Sequence, residues 1–222
     1  MSPNRHLSVA GALALLSFLP GHAQAGQAEP QPLVEYPASS DFMVLELTSR
    51  GGATVDPTQG PFLRIFGDGR VHVRLPAYVR LDPGDHEAYL SHSDLQALLA
   101  MCASKGLTEF DRQAVEQEHK AAERARFENG SPGEMVSDSA HTILTIRLAQ
   151  YAPVGSDAVN ENFKKSIDWY ALSEVASWYP ELTALVHFHE FVEVLDSIRA
   201  ATIAAAKRGE TSIWLPALDK KH

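Results

Sequence analysis

The segment Phe62-Leu-Arg-Ile-Phe-Gly-Asp-Gly-Arg-Val-His-Val-Arg-Leu75 constrains the fold more than any other stretch of the chain. Two runs of alternating apolar and polar residues flank a Gly-Asp-Gly tip, the pattern of an antiparallel β-hairpin. Loop length decides which side chains share a face. A two-residue Asp68-Gly69 turn sets Ile65 opposite His72 and Arg64 opposite Val73, so both faces are mixed. A three-residue loop, Gly67-Asp68-Gly69, sets Ile65 opposite Val71 and Leu63 opposite Val73, and one face becomes wholly aliphatic. A one-residue slip would move every side chain to the other face, so the segregated register is favoured. It gathers Phe62, Arg64, Phe66, Arg70, His72 and Arg74 on the second face.

The remaining elements follow from periodicity. Alternation predicts strands over 42–48, 142–148 (with Leu144, Ile146 and Leu148 on one face) and 165–172 (with Ile167 and Trp169 facing inward). Ser93-Asp-Leu-Gln96 reads as a capping box before an apolar run, which predicts a helix over 94–104. A second long helix is expected over 181–207, with Leu185, Phe188, Val192, Leu195 and Thr202 near one stripe and Gly209 beyond its end. Residues 111–127 are charged and alanine-rich and read as an exposed helix with a weak apolar stripe. Trp214, Leu215 and Leu218 suggest that the tail docks on the body. Hairpins and clustered helices together imply an α+β fold. The expected sheet is antiparallel with about five strands (42–48, 61–66, 70–75, 142–148, 165–172), packed against helices 94–104 and 181–207.

Domain organisation starts at the N-terminus. Arg5, the apolar run Leu7–Leu19, Pro20 and the small-x-small site Ala23-Gln24-Ala25 form a signal-peptide pattern over 1–25. The apolar core is too short to span a bilayer. Residues 26–40, rich in Pro, Gln, Ala and Ser, read as a flexible leader, and 41–222 as a single domain. The sole cysteine, Cys102, excludes a disulfide framework, and no cysteine follows the apolar run to take a lipid. Cys102 sits in an apolar helical run and reads as a buried, inert thiol. The expected product is exported, soluble and not lipidated, in a periplasm or outside the cell, with no transmembrane segment after cleavage. Nineteen basic residues against 28 acidic ones give a net charge of −9, which argues against a nucleic-acid partner.

No dinucleotide fingerprint, phosphate-binding loop, G-x-S-x-G elbow or H-E-x-x-H motif is present. Three constellations remain. The hairpin face of Phe62, Arg64, Phe66, Arg70, His72 and Arg74 combines arginine with aromatics, the composition of interaction hot spots. The alternative is that a helix or loop covers the two Phe rings and that acids such as Glu46 pair the arginines. His189 and Glu193 share a helix face and, with His187 nearby, form a metal-site candidate for zinc or another divalent ion. The same His189–Glu193 spacing is an ordinary surface hydrogen-bonding pair, which is the preferred reading. The Asp82-Pro-Gly-Asp85-His86-Glu87 cluster with His92 reads as a solvated turn.

At Leu63-Arg-Ile-Phe-Gly-Asp-Gly-Arg-Val71 the chain resembles small exported bacterial domains and lipoproteins of unknown function, which share a strand, a G-D-G-[RT] hairpin and a leucine-rich helix ending near a glycine. The resemblance covers roughly 42–110 and, more weakly, 141–200, where a strand pair closing in Trp169-Tyr-Ala-Leu172 precedes a helix, and it implies an exported α+β module with no transferable catalytic residues. The expected function is a non-catalytic module that binds a protein or another envelope component through the hairpin face, without a cofactor. The alternatives are a periplasmic divalent-metal-binding protein and a metal-assisted hydrolase drawing on His72, His86, His187 and His189.

Overall fold

The computed structural model describes residues 32–51, 62–77, 83–130 and 138–213. The fold is α+β, with one antiparallel sheet and helices packed on it. Strands β2 (Met43–Gly51), β3 (Phe62–Phe66) and β4 (Arg70–Leu75) form its centre. The β3–β4 register pairs Ile65 with Val71 and Leu63 with Val73, the three-residue-loop alignment expected from side-chain segregation. Strand β5 (Gly84–Tyr89) extends the sheet beyond β4, and β6 (Ala140–Ala152) pairs with β2 on the other side.

Strand β7 (Asn160–Tyr170) runs along β6 from His141 to Tyr151. The opposite edge of β6 is therefore shared in succession by β2 and by β1 (Leu33–Glu35). Residues 33–35 were expected inside a flexible leader over 26–40; they are an edge strand instead. Three residues are too few to carry a periodic signal. The strand exists because the thirteen-residue β6 outruns β2 and leaves Gln150–Ala152 to be paired. The expected solvated turn at Asp85-His86-Glu87 is likewise strand β5, with His72 opposite Glu87 and Val73 opposite His86. Its alternation is polar on both faces, so a hydrophobic period could not reveal it. The signal-peptide and tail expectations, 1–25 and 214–218, lie outside the described residues.

The aliphatic face of the sheet is the floor of the core. Leu45, Leu47, Leu63, Ile65, Val71, Val73, Leu144, Ile146 and Ile167 are all buried there. A bulge at Val44, between the Met43–Phe66 and Leu45–Ile65 pairs, turns two consecutive β2 side chains into that core. Helix α1 (His92–Ser104) adds Leu95, Leu98, Leu99 and Cys102. Its cap is Ser91, whose Oγ accepts from the Asp94 N–H at 3.1 Å, rather than the expected Ser93. Burial pushes the Cys102 thiol far up from its ordinary range, in line with an inert core cysteine.

After a short 3-10 turn at Leu107–Glu109, helix α2 (Arg112–Glu128) follows. The long C-terminal helix is preceded by a separate short one. Helix α3 (Leu172–Trp178) takes up the end of the expected 165–172 strand, and α4 (Thr183–Arg208) lies against β4, β5 and α3. Leu185, Phe188, Phe191, Leu195 and Ile198 form the buried stripe of α4. No helix among the described residues is long and apolar enough to cross a membrane.

Candidate functional site

The end of β7 builds a cavity. Its last residues, Trp169-Tyr170, pass directly into α3 through Ala171, which is held at φ 51° and ψ 43° in the left-handed region. The Ala171 N–H donates to the Ala140 carbonyl at 3.1 Å and fixes that turn to β6. Alanine in this conformation costs roughly 1–2 kcal/mol, so the surroundings impose it. Seven residues later α3 ends in a second Trp-Tyr pair, Trp178-Tyr179.

Helix α2 closes the space. Val115, His119, Ala122 and Arg126 recur at helical spacing and face inward; the first is buried and the others half-buried. The His119 ring is set edge-on to Trp169 (centroids 6.0 Å) and to Tyr179 (4.9 Å). The Arg126 guanidinium lies 4.9 Å from the Tyr179 ring centroid, and its Nη1 donates to the Trp178 carbonyl at 2.7 Å. One step around the helix, Arg112, Glu116, Lys120 and Glu123 line the open side. The result is a half-open cavity of about 350 Å³, whose remaining walls are His141, Trp169, Tyr170, Ala171, Val175, Trp178 and Tyr179.

The polar groups of the walls are mostly tied. Arg112 Nε donates to Glu116 Oε1 at 2.7 Å and holds that carboxyl below its ordinary range. His141 Nδ1 bonds Asp168 Oδ1 at 2.7 Å, and Arg50 bonds the other oxygen of Asp168 at 3.4 Å. His119 is the exception. Its Nε2 is buried with no hydrogen-bond partner, and the nearest carboxylate oxygen, Glu123 Oε1, is 3.9 Å away, beyond direct bonding.

The expected hairpin residues do share one face. Arg64 donates to Glu46 at 2.7 Å and lies 4.1 Å over the Phe62 ring. Arg70 pairs with Glu87 at 3.0 Å and lies 4.0 Å over Phe66. Arg74 and His72 both reach Asp85 Oδ1 at 2.9 Å, and His72 meets Phe62 edge-on at 5.0 Å. Each arginine therefore has a carboxylate, and the surface is an ordered lattice rather than a basic patch. Strand β5, absent from the expected fold, supplies two of the three acids.

Of the expected metal residues, His189 and Glu193 lie one turn apart on α4. His187 Nδ1 lies 3.3 Å from the Lys105 carbonyl, Lys105 pairs with Glu190 at 2.5 Å, and Glu193 is exposed. Among the described residues no group of three or more His, Cys, Asp or Glu is placed to hold a metal ion. His72 and His86 point to opposite faces of the sheet, and His187 sits on α4, so the hydrolase set is not assembled. The cavity residues escaped the sequence reading. Two signals mark them: the paired Trp-Tyr dipeptides at 169–170 and 178–179, and His119 at the centre of the weak stripe of α2.

Comparison of the chain with protein-family models, curated proteins and solved structures gives no match. What the site does is read from its own geometry.

Proposed function

We propose that this chain is an exported, non-catalytic binding module that receives part of an envelope component in the α2–α3 cavity. Export is supported by the signal-peptide pattern of residues 1–25. The observation that carries the binding reading is the construction of the cavity: aromatic walls held in place by Arg126, His119 and the Ala171 turn, with open space in front of them. Preorganised concave sites of this kind bind without the cost of ordering their walls. The test is a photo-crosslinking side chain at Lys120, on the cavity rim, in cells expressing the full chain. A discrete adduct with an envelope-fraction component is expected there and not from the exposed loop position Val154. Equal adducts from both positions, or recovery of the protein in the cytoplasm only, would overturn the proposal.

The hairpin face supports a second contact surface on the same module. Its Phe62–Arg64–Arg74 stack is ordered yet keeps Arg64 and Arg74 exposed to solvent. Arg64→Glu with Arg74→Glu tests it: adducts from a crosslinker on β4 should fall while the fold is kept.

A further inference from the structure

We infer that the cavity takes a neutral saccharide of one or two rings. The inference rests on the binding reading above and names the chemistry of what is bound. Charge balance is the first argument. Arg112 and Lys120 stand against Glu116 and Glu123 along one side, so the opening has no net charge to select an ion. An anion would have to displace Glu116 from Arg112, a pair at 2.7 Å. An organic cation would meet Arg112 and Lys120 at the opening, and the Tyr179 ring is already taken by the Arg126 guanidinium at 4.9 Å. A neutral occupant meets neither obstacle.

Wall chemistry is the second argument. Trp178 and Tyr170 are the more exposed aromatics of the cavity, and such rings take the flat C–H face of a sugar as apolar contact. Around them stand carboxylate, ammonium, guanidinium and imidazole groups, which bind hydroxyls as donors and acceptors. A hydroxyl is both at once. It can therefore bridge the unpartnered His119 Nε2 and Glu123 Oε1, now 3.9 Å apart, when the half-exposed Glu123 side chain swings aside. Size is the third. About 350 Å³ lies at the small end of ligand cavities and suits a one- or two-ring unit rather than a long chain.

The experiment follows tryptophan fluorescence of the full chain during titration with chitobiose, maltose, choline and inorganic phosphate. The expected result is a saturable change with at least one of the two disaccharides and none with choline or phosphate. Glu123→Gln and Trp178→Ala should each weaken that response at least tenfold, with circular dichroism unchanged for Glu123→Gln, whose side chain is half-exposed. A response to choline or phosphate alone would overturn the saccharide while leaving the binding module standing. No saturable response to any probe overturns the saccharide too, and the Lys120 crosslink then decides separately whether the cavity binds anything. A disaccharide response untouched by Glu123→Gln and Trp178→Ala would place the sugar elsewhere and overturn the inference.

Discussion

A methyl group on Gly67 would stand 1.9 Å from the Pro37 carbonyl oxygen, and one on Gly69, at φ 87°, would stand 2.5 Å from the Leu90 carbonyl oxygen. The Gly-Asp-Gly tip is thus demanded twice over, by the turn itself and by two backbone segments that lean on it. Those contacts are bonded: Leu90 N–H donates to Gly69 O at 2.9 Å, and Gly67 N–H to Phe42 O at 2.8 Å. Gly67→Ala should lower unfolding free energy by about 2–4 kcal/mol, seen as a shift in urea midpoint, because backbone must move to admit it. Asp85 makes the opposite case. Hydrogen bonds from Arg74, then His72, hold its carboxyl below the ordinary range. A depressed folded-state pKa contributes stability above the unfolded value, near pH 4, and loses it as pH falls through the folded value. The side chain is half-exposed, so solvent screening keeps the contribution below about 1 kcal/mol. Asp85→Asn should therefore be slightly less stable than wild type at pH 7, and the urea-midpoint difference should vanish as the buffer is taken below about pH 4.

Helix α2 shows where element-level reading succeeds and where it stops. Its helical state was legible from composition, and its boundaries fall within a residue of those expected. Its role was not, because half of the inward stripe of Val115, His119, Ala122 and Arg126 consists of residues that hydrophobic periodicity counts as polar, and its two apolar members are small. The hairpin register was legible because both strands put aliphatic side chains on a single face. Strand β5 and strand β1 were not, since one alternates polar with polar and the other is three residues long. The same blindness hid the site: the cavity is walled by His, Arg and Trp-Tyr pairs whose meaning depends on α3 folding back, a tertiary event. Arg126 is the element-scale test of that wall. Losing its bond to the Trp178 carbonyl and its stack on Tyr179 should cost Arg126→Ala about 1–2 kcal/mol. The loss should be local, so hydrogen exchange should speed up across Leu172–Trp178 while the β3–β4 amides keep their protection.

Among the described residues of the molecule, one face of the sheet lies under helices, and on the other, side chains close over the aromatic rings. Phe62 points to that second face yet is only 6% exposed, because Arg64, His72 and Arg74 close over it. The lattice thus has two parts that respond differently to solvent. Its ion pairs are half-exposed and open to screening by salt, each worth about 1 kcal/mol. Its aromatic burial is indifferent to salt. Phe62→Ala should cost about 2–4 kcal/mol, as a core residue would, and the loss should be the same in 0.05 M and 0.5 M NaCl. Arg64→Glu with Arg74→Glu sets new carboxylates against Glu46 and Asp85, so it should lower the melting temperature by several degrees at low salt. Because that loss is repulsion between exposed charges, 0.5 M NaCl should recover much of it. If both variants recover equally, Phe62 is held by charge rather than by cover; if neither does, the arginines act as packing, and their aliphatic stems, not their pairing with acids, keep the open face dry.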